Sequence, residues 1–197
     1  DYITAFKLLA LPAIFFVLTM SLLRHLGGGI QASFYGVHLK DIGISATTIG
    51  LLISINGAFG LVGSLSAAPL QRYLNDHWLL ILLVAASILF ITITPILNDQ
   101  VTWLMFASGL RGWAMAASLV FIISMIARYA ESEMQGRAMG LRVTLNQMTW
   151  FAVPVIMGFV AEIFGRENSF YIIGITAIFL VALLGFWTYR CKVFPKI

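Results

Sequence analysis

Six side chains near the start of the chain, Ser21, Arg24, Gly28, Gln31, Tyr35 and His38, are spaced 3, 4, 3, 4 and 3 residues apart. On a helix that spacing makes one face. At its centre is an arginine, a permanently charged planar fork of five N–H donors that matches the oxygens of a carboxylate or phosphate. A second set, Ser108, Arg111, Met115 and Ser118, also places an arginine among hydroxyls on one helical face. Neither set contains an acid. The two faces can therefore bind an anion, or pair with acids supplied from elsewhere.

The elements that must hold these faces are membrane helices. Of 197 residues, 60% are hydrophobic and 10% charged, with a mean hydropathy of +0.96. Soluble domains carry about 25% charged residues. The class is a multi-pass membrane protein, and the net charge of +4 concerns loop orientation, not nucleic acid. The chain has no Gly-rich phosphate loop, no Cys/His metal spacing and no Ser/His/Asp set on a common face. We therefore expect no catalytic residue, no metal and no cofactor. The one cysteine, Cys191, has no internal disulfide partner.

Five hydrophobic stretches, roughly 47–69, 78–97, 101–127, 138–164 and 169–188, are each near the ~20 residues that cross a bilayer. A sixth lies within residues 8–39. Arg72, Arg128, Arg137, Arg142, Arg190, Lys192 and Lys196 fall on one side of this layout, joined by Lys7. Lys40 and Arg166 fall on the other. The positive-inside bias then makes both termini cytoplasmic. The expected organisation is a lead-in over 1–11, a six-helix bundle over 12–188 and a cytoplasmic tail over 189–197. The expected location is a bacterial inner (plasma) membrane.

Self-similarity sharpens the layout. "GLLISINGAFG" from Gly50 and "GLRVTLNQMTW" from Gly140 share G-L-x-[IV]-[ST]-[IL]-N at an offset of 90 residues. The same offset maps the span 101–127 onto 11–37, so the first helix runs from Pro12 to about Val37 with Arg24 near mid-membrane. Two units of three spans, about 12–97 and 101–188, must then be inverted relative to each other, a known construction of transport proteins. A mid-membrane arginine is costly and reads by default as part of a site.

The remaining features fill in the bundle. The first helix of each unit, with its arginine, is expected to line a cavity. The third helices, uncharged inside and apolar all round, are expected to face lipid. The second helices read as packing helices, through a small-residue face of Asn56, Gly60, Gly63 and Ala67 in one. In the other, Asn146 reads as an interhelical hydrogen-bonding group, Gln147 and Trp150 as further cavity-lining residues, and Pro154 as a kink. The glycines 27–29 allow three readings: a flexible bend, an unwound segment facing a ligand, or close packing against a neighbouring helix.

The stretches "SFYGVHLKDIGISATTIGLLISINGAFG" (33–60) and "GRAMGLRVTLNQMTWFAVPVIMGFVAEIFG" (136–165) resemble the major facilitator superfamily, specifically one six-helix half of its twelve-helix transporters. The resemblance implies alternating access around a central cavity lined by the first and fourth helices of each half. The family's loop after the second helix usually reads G-x-x-x-D-R-x-G-R-R. Here "AAPLQRYLNDH" keeps Arg72 but has Gln71 for the acid and Leu74 for the glycine. That departure, a start without methionine and a short basic ending together suggest a C-terminal half. Arg72 and Arg137 are the residues onto which a gating-loop role carries over.

The resulting expectation is an all-α membrane protein that is half of a twelve-helix fold. It would act as a secondary transporter of a small solute, with a lean towards organic anions, alongside the other six-helix half or a second copy. Arg24, Gly28, Gln31, Tyr35, Arg111, Ser118, Gln147 and Trp150 are the candidate cavity-lining residues. Proton coupling would need a titrating group from the histidines or from the other half. The competing expectation is a structural or regulatory membrane subunit that transports nothing.

Overall fold

The computed structural model describes residues 8–194. Lys7, Lys196 and the outer parts of the expected lead-in and tail lie outside them. A 3-10 turn, Leu8–Ala10, precedes six helices: α1 (Pro12–Asp41), α2 (Ala46–Leu70), α3 (Asp76–Thr92), α4 (Val101–Tyr129), α5 (Gln135–Phe164) and α6 (Arg166–Arg190). All but α3 are long and apolar enough to cross a membrane.

Local chemistry sets the helix ends. Pro12 occupies the first turn of α1, where its missing N–H costs nothing. The α1–α2 turn is short: Gly43 takes φ +89° and Ser45 caps α2 by accepting the Thr48 N–H at 3.2 Å. Gly165, at φ +86°, is the whole connection between α5 and α6. The α-helical part of the expected span 78–97 stops at Thr92, and residues Thr94–Leu97 form a 3-10 turn. Pro95 is the reason: it lacks an N–H, and an α-helix would drive its ring against the carbonyl four residues back. At 17 residues, α3 is about 25 Å long, slightly short of the hydrocarbon core.

The helices pair as an inverted repeat requires. α1 packs on α5, while α4, its counterpart, packs on α2; α3 packs on α4, while α6 packs on α1. The α2–α4 contact is close because side chains are missing from it. A Cβ on Gly63 would strike the Trp113 backbone, and one on Gly112 the Asn56 backbone. This is the packing face expected of α2. Beyond it α2 and α5 are mostly exposed, with Leu61, Leu65, Phe151 and Phe159 projecting outward, so they are packing helices along one narrow stripe only.

The expectation that the third helices face lipid is corrected for α3. It lies among α1, α4 and α6 and buries Leu80, Val84, Ile88 and Ile91 completely. Uniform apolarity gave no sign of which side is covered, since a helix greasy all round suits a core as well as lipid. α6 does leave Ile175, Phe179, Leu183 and Phe186 exposed.

Contacts between chain ends fix the poles of the bundle. At one pole Phe194 packs against Phe16 (5.3 Å), Tyr129 (5.2 Å) and His77 (4.9 Å), and Arg128 pairs with Asp76 at 2.8 Å. At the other, Arg166 pairs with Asp41, His38 Nε2 meets Asn98 Oδ1 at 3.0 Å, and Asn98 Nδ2 donates to Glu167 at 3.1 Å. Arg72, Arg128, Arg137, Arg190 and Lys192 gather at the first pole, Lys40 and Arg166 at the second.

Candidate functional site

Arg24 stands in the middle of α1 and is buried, at 7% exposure. Its Nε donates to the Met115 carbonyl at 2.9 Å and to Ser118 Oγ at 3.1 Å, and the Ser118 hydroxyl donates to the same carbonyl at 2.8 Å. Residue 115 of a regular α-helix already directs its carbonyl along the helix. The arginine and serine therefore share an acceptor of α4 and hold the two first helices together.

Arg111 is more deeply buried, at 3% exposure. Its guanidinium carbon lies 4.9 Å from the centre of the Tyr35 ring. Its Nε and Nη2 are buried and have no hydrogen-bond partner among the described residues. The two arginines thus differ: Arg24 is anchored to a neighbouring helix, and Arg111 rests on an aromatic face with donors to spare.

The face read from the spacing does not survive intact along α1. Residues Gln31–Tyr35 form a π-helical turn, which fits one extra residue into the turn and rotates everything after it. Gly28 and Gln31 stay on the original side, where with Asn56, Met115 and Trp150 they line an open groove of about 830 Å³ bounded by α1, α2, α4 and α5. Tyr35 is turned inward and buried under Arg111. His38 faces away from the groove, against Asn98 and Phe170.

The glycines 27–29 are α-helical; Gly28 and Gly29 are tightly surrounded, whereas a Cβ on Gly27 would meet Ile88 at an ordinary 3.8 Å. A Cβ on Gly29 would lie 2.8 Å from Val153 Cβ, and one on Gly28 would lie 2.8 Å from Met115 Cε. Of the three readings, close packing is the one the geometry fits.

On α5, Asn146 is buried and its Oδ1 accepts from Ser21 Oγ at 3.1 Å, the interhelical bond expected of it. Gln147, one residue further round, is exposed and does not line the groove, whereas Trp150 does. Ser118 is fully buried in the α1–α4 contact. Arg72 lies in the exposed α2–α3 turn. Arg137 stands in the first turn of α5 instead of in a loop, its Nη1 3.5 Å from Met134 Sδ. The helix starts early because the Ser132–Met134 turn leads directly into it. Arg142, one and a half turns on, is half-buried, and its Nε has no hydrogen-bond partner among the described residues; nothing in its place among the connection charges signals that.

No curated protein and no solved structure matches the chain. A family model described as Major Facilitator Superfamily matches residues 17–196, which include both arginine faces, the repeat and all but the first turn of α1. Five long apolar helices, a short sixth, inverted pairing and that match agree: this multi-pass membrane chain belongs to the major facilitator superfamily of membrane transporters.

Proposed function

We propose that the protein is a secondary active transporter that moves a small organic anion by alternating access, with this chain forming one six-helix half. Family membership supports transport. The observation that carries the anion reading is Arg111, a buried cation whose Nε and Nη2 lack acceptors among the described residues. A buried donor without a partner is expensive, more so when charged, and an arriving carboxylate or phosphate would remove that cost. The groove beside α1 is the way in: Gln31, Asn56 and Trp150 offer polar and aromatic contacts along it.

The other half would cover this same side. α2 and α5 flank the groove and expose apolar side chains beyond what one bundle can bury, so a second six-helix unit placed there would close the groove into a central cavity. In this reading Arg24 and Arg142 add positive potential, and the basic pole faces the cytoplasm of a bacterial cell. Arg72 and Arg137, exposed at that pole, are the candidates for contacts that change as the halves rock.

The test is uptake of a panel of labelled organic anions, neutral sugars and organic cations into proteoliposomes holding the natural gene product. Anion uptake that is lost in Arg111→Gln, with the variant still monodisperse, supports the reading. Uptake of a neutral or cationic solute that is indifferent to Arg111 would reject it.

A further inference from the structure

The groove beside α1 has a shape as well as a nearby charge. Its floor is almost bare backbone: Gly28, Ala32 and Gly36 recur every four residues along α1 and all line it. A Cβ on Gly36 would meet nothing within 4 Å, so the outer floor is open. At Gly28 an added Cβ would lie 2.8 Å from Met115 Cε and 3.9 Å from Trp150 Cζ2. A thioether from α4 and an indole from α5 thus converge on one point at the inner end of the floor. Both are polarizable groups that favour an aromatic neighbour. Trp150 is 40% exposed, which leaves ring surface free for one.

Polar contacts along the groove are sparse. Ser33 spends its hydroxyl on the Gly29 carbonyl at 2.7 Å, and the Asn56 amide donates to the Ser108 carbonyl at 2.9 Å. Lys40 and Asp41 stand at the outer mouth, where Asp41 is engaged by Arg166.

What makes this floor more than a packing surface is Arg111. It precedes Met115 by four residues on α4, which puts it on the same face and one turn, about 5.4 Å, nearer the outer mouth. It is 3% exposed, and its Nε and Nη2 have no partner among the described residues. A flat apolar body resting on Met115 and Trp150 therefore has buried, unpaired donors about one helical turn away.

We propose that the groove takes an aromatic carboxylate, its ring on Gly28 between Met115 and Trp150 and its carboxylate on Arg111. The carboxylate end rests on the anion reading of Arg111; the ring end stands on the groove alone. The spacing of one helical turn selects acids whose ring and carboxylate are separated by a short linker of about two carbons.

The experiment is equilibrium binding to the natural gene product in neutral detergent, with three matched probes: 3-phenylpropanoate, 3-cyclohexylpropanoate and 3-phenylpropanamide. Saturable binding of 3-phenylpropanoate, tighter than that of the cyclohexyl acid and weakened roughly threefold to tenfold in Trp150→Leu, supports the ring site. Trp150→Phe should keep most of the affinity. Trp150 is exposed, and an unchanged elution profile verifies the fold of each variant. Weaker binding of the amide, with Arg111→Gln reducing only the acids, supports the carboxylate end as well. If acid and amide bind equally and both need Trp150, the ring site stands and the anion reading falls. If the two acids bind equally, need Arg111 and ignore Trp150→Leu, the anion reading stands and the ring site is overturned. Absence of saturable binding by both phenyl probes would also overturn it.

Discussion

The guanidinium of Arg111 on α4 lies over the ring of Tyr35 on α1, 4.9 Å from its centre, with the N–H groups of its Nε and Nη2 unengaged among the described residues. An aromatic face stabilises a cation by about 0.5–2 kcal/mol without consuming its hydrogen bonds. The arrangement keeps a charge inside the bundle while leaving it able to bond to something else. Arg111→Lys keeps the charge and loses the planar stack, so initial anion uptake should fall at least several-fold, and Arg111→Gln should fall to background. Tyr35→Phe preserves the ring and should stay within about threefold of the parent. Equal rates in all three would remove Arg111 from the transport path.

Arg24 should behave as a structural residue as well as a charge. Losing its bonds to the Met115 carbonyl and Ser118 in Arg24→Gln should cost about 1.5–3 kcal/mol. Ser118→Ala, which removes one neutral partner, should cost about 1 kcal/mol. Thermal unfolding in detergent reads both. An unshifted midpoint for Arg24→Gln would mean that these bonds do not hold α1 to α4.

Gly29 and Gly36 make a matched pair on α1. Gly29→Ala would put a methyl group 2.8 Å from the branched Cβ of Val153, and overpacking of this kind costs about 1–3 kcal/mol. Adding Val153→Ala should restore most of it. Gly36 has nothing within 4 Å of its added Cβ, so Gly36→Ala should be neutral or gain up to about 1 kcal/mol in helix propensity. The same unfolding assay distinguishes them, and equal effects would refute the close packing of α1 on α5.

Ser21 and Asn146 join α1 to α5 by one buried hydrogen bond of 3.1 Å. A double-mutant cycle over Ser21→Ala and Asn146→Ala should return a coupling of about 0.6 kcal/mol, the usual size within membrane bundles. Strict additivity of the two single changes would show that the bond contributes nothing.

Much of the architecture was legible because two physical rules operate over long stretches. Length and apolarity located the spans. Each Asn of the repeat bonds across to a neighbouring helix, though not in the same way: Asn56 donates to the Ser108 carbonyl across α2–α4, and Asn146 accepts from the Ser21 hydroxyl across α5–α1. The embedded position of Arg24 followed from the same offset. What the sequence concealed was finer. Nothing in "QASFY" announces a π turn, and that turn separates Tyr35 from Gln31. The backbone acceptor of Arg24 has no side-chain signature at all. Gln147 and Asn146 differ by one step on α5, about 100° of rotation, and composition cannot say which of two adjacent amides faces inward. The burial of α3 was hidden for a related reason, since lipid and protein core select the same side chains.

The π turn at Gln31–Tyr35 also bears on how this chain is to be compared with its relatives. One extra residue in a helix is invisible in a hydropathy profile but displaces every later position by a place. A relative whose first helix is α-helical throughout would need a one-residue gap within the membrane span, between Gly29 and His38, to be aligned correctly. An alignment forbidden gaps inside spans would still match Arg24 and Gly28, yet it would set the tyrosine beneath Arg111 against its relative's neighbouring residue. In a relative that carries the same tyrosine, the aromatic platform would then look like a private substitution of this chain.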